Sequence, residues 1–516
     1  MFEGSDMMTI DQLRRDATVL KRAYLGQDPD ALLRVAAHRP RAEGMALRHA
    51  DFLHVIARER GFASWPHLKA SVETQGMDRA ERQQRLGQAC KQGQNHVIQQ
   101  MLDADPSLPN GNLALALLLY DHATVAGMIE ADRRRATQPC PMVPPLTVLA
   151  QSKAIHLFPE READMLAIAN LLLSHGADPN HGVPEAEGHA LSTLYFALGH
   201  AGNMALSEWL LDHGADPNDG ESLYHATELG HHGGLRLLLA HGADPKGTNA
   251  LLRAMDFHDV EAVQMLLDAG AQADDFNAEE VGGEVPWTVP ALHQAARRMS
   301  PPEMVTLLLD NGADPQRIYD GVTPYAYARI FGNTSLAQQL EVAGHATPLT
   351  ETEALLAEVA DGAVPEGRYV DPAKMPPAAR NIIREVLHLP GKLPHVQRLA
   401  AVGVEYDRPD AAGVTPVQAA GWSGLPEVME TLLRLMPDLG HINDYGGNLF
   451  STILHGSENN PEREGKDYIA CLRLALEHGV ALPRAAPDRV GDPEIAAFLR
   501  EWAEAKPGQV VAAGPI

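Results

Sequence analysis

The chain has 516 residues, 45% apolar and 5% aromatic, and its 68 Asp and Glu outweigh 42 Lys and Arg for a net charge of −26. An acidic surface of this kind repels phosphate backbones and argues against a nucleic-acid partner. Three scattered cysteines (Cys90, Cys140 and Cys471) without a Cys-x-x-Cys spacing, no basic-then-apolar leader and no apolar run long enough for a bilayer point to a cytoplasmic protein with no membrane partner.

Residues 1–85 form a helical segment without the pattern that follows. Leu47 to Arg60 reads as an amphipathic helix whose apolar side is Leu47, Phe52, Leu53, Val55 and Ile56. Ser64 then caps a new helix, with Pro66 in its first turn. Phe62 and Trp65 are expected to seal the open end of whatever follows. Charge divides here: residues 1–91 hold 15 Lys and Arg against 12 Asp and Glu, so residues 92–516 carry −29.

From residue 86 a unit recurs. Weak copies span Leu86 to Asp105 and Leu113 to Glu130. Clear ones end in His175-Gly176-Ala177-Asp178-Pro179-Asn180, His213-Gly214-Ala215-Asp216-Pro217-Asn218, His241-Gly242-Ala243-Asp244-Pro245-Lys246 and Asn311-Gly312-Ala313-Asp314-Pro315-Gln316. Each follows a leucine run, the apolar stripe of a helix; Gly stops that helix and Pro prevents its continuation. A shorter helix precedes each, opened by Thr323-Pro324 and Thr415-Pro416 in two copies, Thr as N-cap and Pro at the first helical position. The stop glycines Gly176, Gly214, Gly242, Gly270, Gly312 and Gly344 are unevenly spaced, so insertions are expected at 275–289, with Gly282-Gly283 and Trp287, and at 151–164, the latter able to lengthen a helix. Residues 349–398, rich in proline, read as a degenerate unit or a break between arrays. Repeats resume over 399–506, with Asn448 to Val480 closing the array, and 507–516 form a tail.

The Thr-Pro starts, Leu292-His293-Gln294-Ala295-Ala296 and the leucine-Gly-Ala-Asp ends resemble the ankyrin repeat, with its T-P-L-H-x-A-A and L-L-x-x-G-A-D signatures. The stretch Ala57 to Lys69 resembles the N-terminal helical segment of some bacterial ankyrin-repeat proteins. The resemblance implies an all-α, curved α-solenoid of stacked helix-turn-helix units behind an N-terminal helical cap, with arrays over 86–348 and 399–506.

The chain carries no phosphate-cradling Gly-rich loop, no His-Glu-x-x-His and no nucleophile elbow, and no cofactor is expected. Among 24 histidines the densest group is His225, His231 and His232. Equivalent positions of adjacent units lie about one helix diameter, roughly 10 Å, apart. His175, His213 and His241 therefore cannot share a zinc ion, whose ligand atoms lie about 2 Å from it. Asp178, Asp216, Asp244 and Asp314 are better explained by Asx hydrogen bonds in the turn than by catalysis.

What remains is a binding face. The resemblance places the two residues after the Ala-Ala position in the concave groove: Glu228 and Leu229, Arg297 and Arg298, Ile330 and Phe331, Trp422 and Ser423. Tyr319 and Asp320 precede Thr323 in the adjoining loop. Aromatics and Arg are what interface hot spots favour. In the competing reading Ile330 and Phe331 pack against the next, irregular unit, and a neighbouring loop covers Trp422. The expected function is a non-enzymatic protein-interaction scaffold, with a basic protein among the candidate partners; the oligomeric state stays open. Two alternatives are an acidic inhibitor or DNA mimic, and an enzyme with its site in an insertion or in 349–398. Changing Phe331 and Arg298 to Ala together should leave far-UV CD unchanged and weaken partner capture.

Overall fold

The computed structural model describes residues 9–39, 41, 45, 47–74, 76–186, 189–277, 289–460, 462–490, 492–512 and 514. Most of the expected 275–289 insertion, including Gly282-Gly283 and Trp287, lies outside the described residues. Packing divides the chain into two units, one of residues 73–315 and one of residues 1–72 with 316–516.

The first unit is a stack of helix pairs: Arg79–Gln92 with Asn95–Ala104, Leu113–Leu118 with His122–Ala131, Pro145–Ala150 with Glu162–Ser174, Thr193–Tyr195 with Met204–Asp212, Ser222–Ala226 with Gly233–Ala240, Ala250–Asp256 with Val260–Asp268, and Ala291–Arg298 with Pro302–Asp310. First helices pack on first helices along the stack, and second helices largely on second helices. Tyr195 runs on into one π-helical turn, Phe196–His200. Residues 151–164 form two short 3₁₀ turns, Ala154–His156 and Pro159–Arg161, and only then the helix from Glu162. A two-stranded antiparallel hairpin, Gly182–Ala186 with His189–Ser192, interrupts the otherwise helical unit; no signal for it was read in the sequence.

The repeated stop works as its residues require. Gly176, Gly214, Gly242 and Gly312 all have φ near +90°, a conformation strained for residues with a Cβ. The amide after each glycine reaches back to a leucine carbonyl, Ala177 to Leu172 and Ala215 to Leu210. Asp178, Asp216 and Asp244 each accept the amide two residues on, the expected Asx turn. The ring Nδ1 of His175, His213 and His241 donates to the carbonyl four residues back. Asn180 adds a link the sequence reading did not anticipate. Its Oδ1 accepts from the Asp216 amide and its Nδ2 donates to the Gly214 carbonyl, joining two consecutive repeats. Asn218 repeats the link to Asp244 and Gly242.

The second unit holds the four N-terminal helices and the remaining repeats. Ile10–Leu25, Pro29–Ala37, His49–Glu59 and Trp65–Glu73 share one core that includes Leu13, Leu20, Phe52, Leu53, Val55, Ile56 and Trp65, with Leu47 and Phe62 at its edge. Of the two residues expected to seal the start of the array, Trp65 is thus a core residue of this cluster and Phe62 packs against its edge. Its helices Ile10–Leu25 and His49–Glu59 also pack on Pro493–Ala505, near the other end of the sequence.

The repeats of this unit are Pro324–Phe331 with Thr334–Val342, Ile382–Val386 with Leu393–Ala401, Pro416–Trp422 with Pro426–Leu433, and Leu449–Asn459 with Tyr468–Glu477. Thr323 accepts the Ala326 amide as the expected N-cap. Between the first two repeats, Glu351–Ala360 lacks a regular second helix, yet it packs on both Pro324–Phe331 and Leu393–Ala401, so stacking continues through the irregular segment. A further pair, Ala486–Arg489 and Pro493–Ala505, follows the unit expected to close the array. Leu482–Pro483 and Val510–Val511 form a short parallel pair, so the all-α architecture carries two minimal sheets.

Candidate protein-binding surface

The first helices of the 73–315 unit are short and stacked side by side, so side chains at matching positions meet their neighbours across repeats. His225, on Ser222–Ala226, lies 3.1 Å from Glu221 through Nε2 and 2.9 Å from Glu228 through Nδ1. Burial alone would push its pKa down, but the two carboxylates outweigh that and raise it to about 9, so the ring is an imidazolium at neutral pH. The Tyr195 and Tyr224 rings stand edge-on to it.

Glu228 also accepts from Arg253 of the next repeat at 2.7 Å. Although burial acts to raise it, His225 and Arg253 hold its carboxyl below the usual range. Arg253 continues to Asp256, and Asp256 in turn accepts from the Arg298 guanidinium at 2.7 Å and the Gln294 amide at 2.6 Å. The result is a strip of alternating sign, His225, Glu228, Arg253, Asp256 and Arg298, across three consecutive repeats. The Arg253 guanidinium lies over two rings, 5.6 Å from the Tyr224 centroid and 4.9 Å from that of Phe257. Phe257 is half exposed, an unusual place for a phenyl ring.

The expected site residues fare differently. Glu228 and Arg298 join the strip. Arg297 is buried and donates to Gln294 of its own helix. Ile330 and Phe331 are fully buried, and the Phe331 ring packs tilted against that of Tyr327, centroids 4.3 Å apart. They are not part of an exposed patch: Glu351–Ala360 packs directly on their helix, the competing reading of the sequence. The expectation that Phe331→Ala would leave the fold untouched falls with this. Tyr319 and Asp320 form a tight turn closed by reciprocal bonds between Tyr319 and Val322, with Asp320 exposed at its tip. Trp422 is partly covered, its ring 5.2 Å from that of His455.

Arg253, Asp256 and Phe257 were missed because their repeat reads Ala254-Met255 in place of Ala-Ala. The signal was available in the spacing: Glu228, Asp256 and Arg298 each stand fourteen residues before a stop glycine. Histidine convergence is absent at the densest group. His232 pairs with Asp259 and Glu261, away from His225, and among the described residues no three His, Cys, Asp or Glu side chains gather as a metal set.

Comparison with known proteins bears on the same region. A model of three ankyrin repeats matches residues 194–279, and a single ankyrin-repeat model matches 290–319. These residues of the chain carry ankyrin repeats. Among solved structures it is similar to an ankyrin repeat domain from Acinetobacter baumannii AYE, at 25% identity over 39% of this chain and 97% of that one, with a TM-score of 0.30. It is also similar to the human ASB11 ankyrin repeat domain, at 18% identity over 49% of this chain and 96% of that one, with a TM-score of 0.20. No curated protein matches. Ankyrin repeats are generally protein–protein interaction modules, and the charged strip lies within the matched residues. Among the described residues no helix is long and apolar enough to cross a membrane.

Proposed function

We propose that the chain is a non-catalytic interaction scaffold that takes a protein partner on the strip formed by Tyr224, His225, Glu228, Arg253, Asp256, Phe257 and Arg298. The observation that carries the reading is Arg253, held between two aromatic rings and two carboxylates beside the half-exposed Phe257. Arg and aromatic side chains with their geometry fixed beforehand are what interface hot spots use, because little side-chain freedom is lost on docking. The excess of −29 over residues 92–516 favours a basic partner by steering. Tyr319, Asp320 and Trp422 are proposed as secondary contacts of the other unit. Alternating sign along the strip gives no support to a mimic of evenly spaced phosphates.

Affinity capture from the native host, compared across variants, tests the proposal. Phe257→Ser with Glu228→Gln should lose the proteins enriched by the wild-type chain, while Arg236→Glu, on a second helix, retains them. Equal enrichment by all three would remove the strip as the site.

A further inference from the structure

A second surface of this chain gathers cations around a cavity. Where the N-terminal helices meet the last repeats, a cavity of about 310 Å³ opens between His49–Glu59 and Pro493–Ala505. Lys21, Arg48, His49 and Arg473 line it, together with Ile469, Ala497, Phe498, Glu494 and Glu501. In a chain of net charge −26, three cations against the two carboxylates Glu494 and Glu501 leave this cavity locally positive by one charge. Lys21, Arg48 and Arg473 have no salt-bridge partner among the described residues. Arg473 lies over the Phe498 ring at 4.9 Å, which fixes its guanidinium beside the apolar wall.

His49 supplies the second observation. It is 3% exposed, and its Nε2 finds no hydrogen-bond partner. A buried ring nitrogen with no partner keeps its desolvation cost until something fills its hydrogen-bonding need. Burial first, then the nearby charges of Lys21, Arg14 and Arg500, push its pKa down to about 4. Such a ring stands in a positive field, and an anion would relieve both the field and the missing partner.

The geometry points to a binding site for a small organic carboxylate, its head held by Arg48, Lys21 and His49 and its apolar body against Ile469, Ala497 and Phe498. Glu494 already accepts the Ala50 amide, at 3.2 Å, and so helps hold the two helices that frame the cavity. With Glu501 it keeps the site suited to a single negative charge, where a dianion such as phosphate would meet two carboxylates. The volume is at the small end of ligand pockets, enough for a single-ring acid.

The probe is benzoate, titrated into the full-length chain at constant ionic strength and followed through the His49 imidazole resonances, assigned by their loss in His49→Gln. Inorganic phosphate is the comparison. A saturable shift with benzoate, weakened at least tenfold when exposed Arg48 and Arg473 are both changed to Ala, is the expected result. Lys21→Ala should weaken it as well, giving a second variant independent of Arg473 and its ring contact. No saturable shift, equal affinity in the variants, or phosphate binding without benzoate binding would each overturn the assignment.

Discussion

Glu228, Asp256, Arg298 and Ile330 occupy the same repeat position, fourteen residues before Gly242, Gly270, Gly312 and Gly344. In the 73–315 unit the first three sit in a charged strip with part of each side chain in water. In the other unit Ile330 is sealed, because Glu351–Ala360 packs directly on the helix that carries it. Repeat position fixes where a side chain leaves the helix; the next repeat decides whether solvent or core meets it. An irregular neighbour converts a binding position into a packing position, and the residue type follows, from carboxylate and guanidinium to Ile and Phe.

The largest effect should come from the packed side of this contrast. Phe331→Ala removes a ring that is fully buried, and large-to-small core changes of this kind cost about 3–5 kcal/mol. Urea unfolding should show that loss; a change below about 1 kcal/mol would mean the ring is not packed as described. On the strip side, Asp256→Ala removes the 12% exposed carboxylate shared by the Arg253 and Arg298 guanidiniums and the Gln294 amide, and is expected to cost about 2–3 kcal/mol.

Acid and base should divide the two regions. The folded pKa of His225 is raised to about 9, above its unfolded value of about 6.5. Its contribution is therefore complete below about pH 6.5 and lost as pH climbs through 9. His395 in the other unit is buried with both ring nitrogens unpartnered; burial, with Lys392 and Arg398 nearby, pushes its pKa down to about 3. Its neutral form is stable above about pH 6.5, and stability falls as pH drops from there toward 3. Hydrogen exchange by segment should show residues 222–256 loosening first in base and 393–401 first in acid. His225→Gln should flatten the basic response and His395→Leu the acidic one. The same order of loosening in both directions would break the contrast. The smallest effect belongs to Arg329→Ala, which removes an exposed pair with Asp361 and should cost less than about 1 kcal/mol in the same urea assay.

Much of the scaffold was legible because it is written in short-range signals. The stop glycines, the Asx turns, the Thr323 cap and the histidine-to-carbonyl bonds all lie within four residues of their cause. The Asn180 and Asn218 links were less visible, since their partners lie a repeat away. The hairpin over Gly182–Ala186 and His189–Ser192 gave little warning, with Pro184 inside its first strand. Least legible was the docking of the N-terminal helices on Pro493–Ala505, a contact between segments more than 400 residues apart that no local pattern encodes. Of the candidate site, Glu228 and Arg298 were found by matching a signature. Arg253 and Asp256 required counting from the stop glycine, and the fate of Ile330 and Phe331 depended on a segment with no repeat pattern.

Hydrogen exchange on the chain with its captured partner tests the central claim most directly. Protection confined to the first helices and adjoining turns of residues 222–258 and 291–298 is the predicted footprint. Protection restricted to residues 316–331, with the strip exchanging as in the free chain, would contradict it.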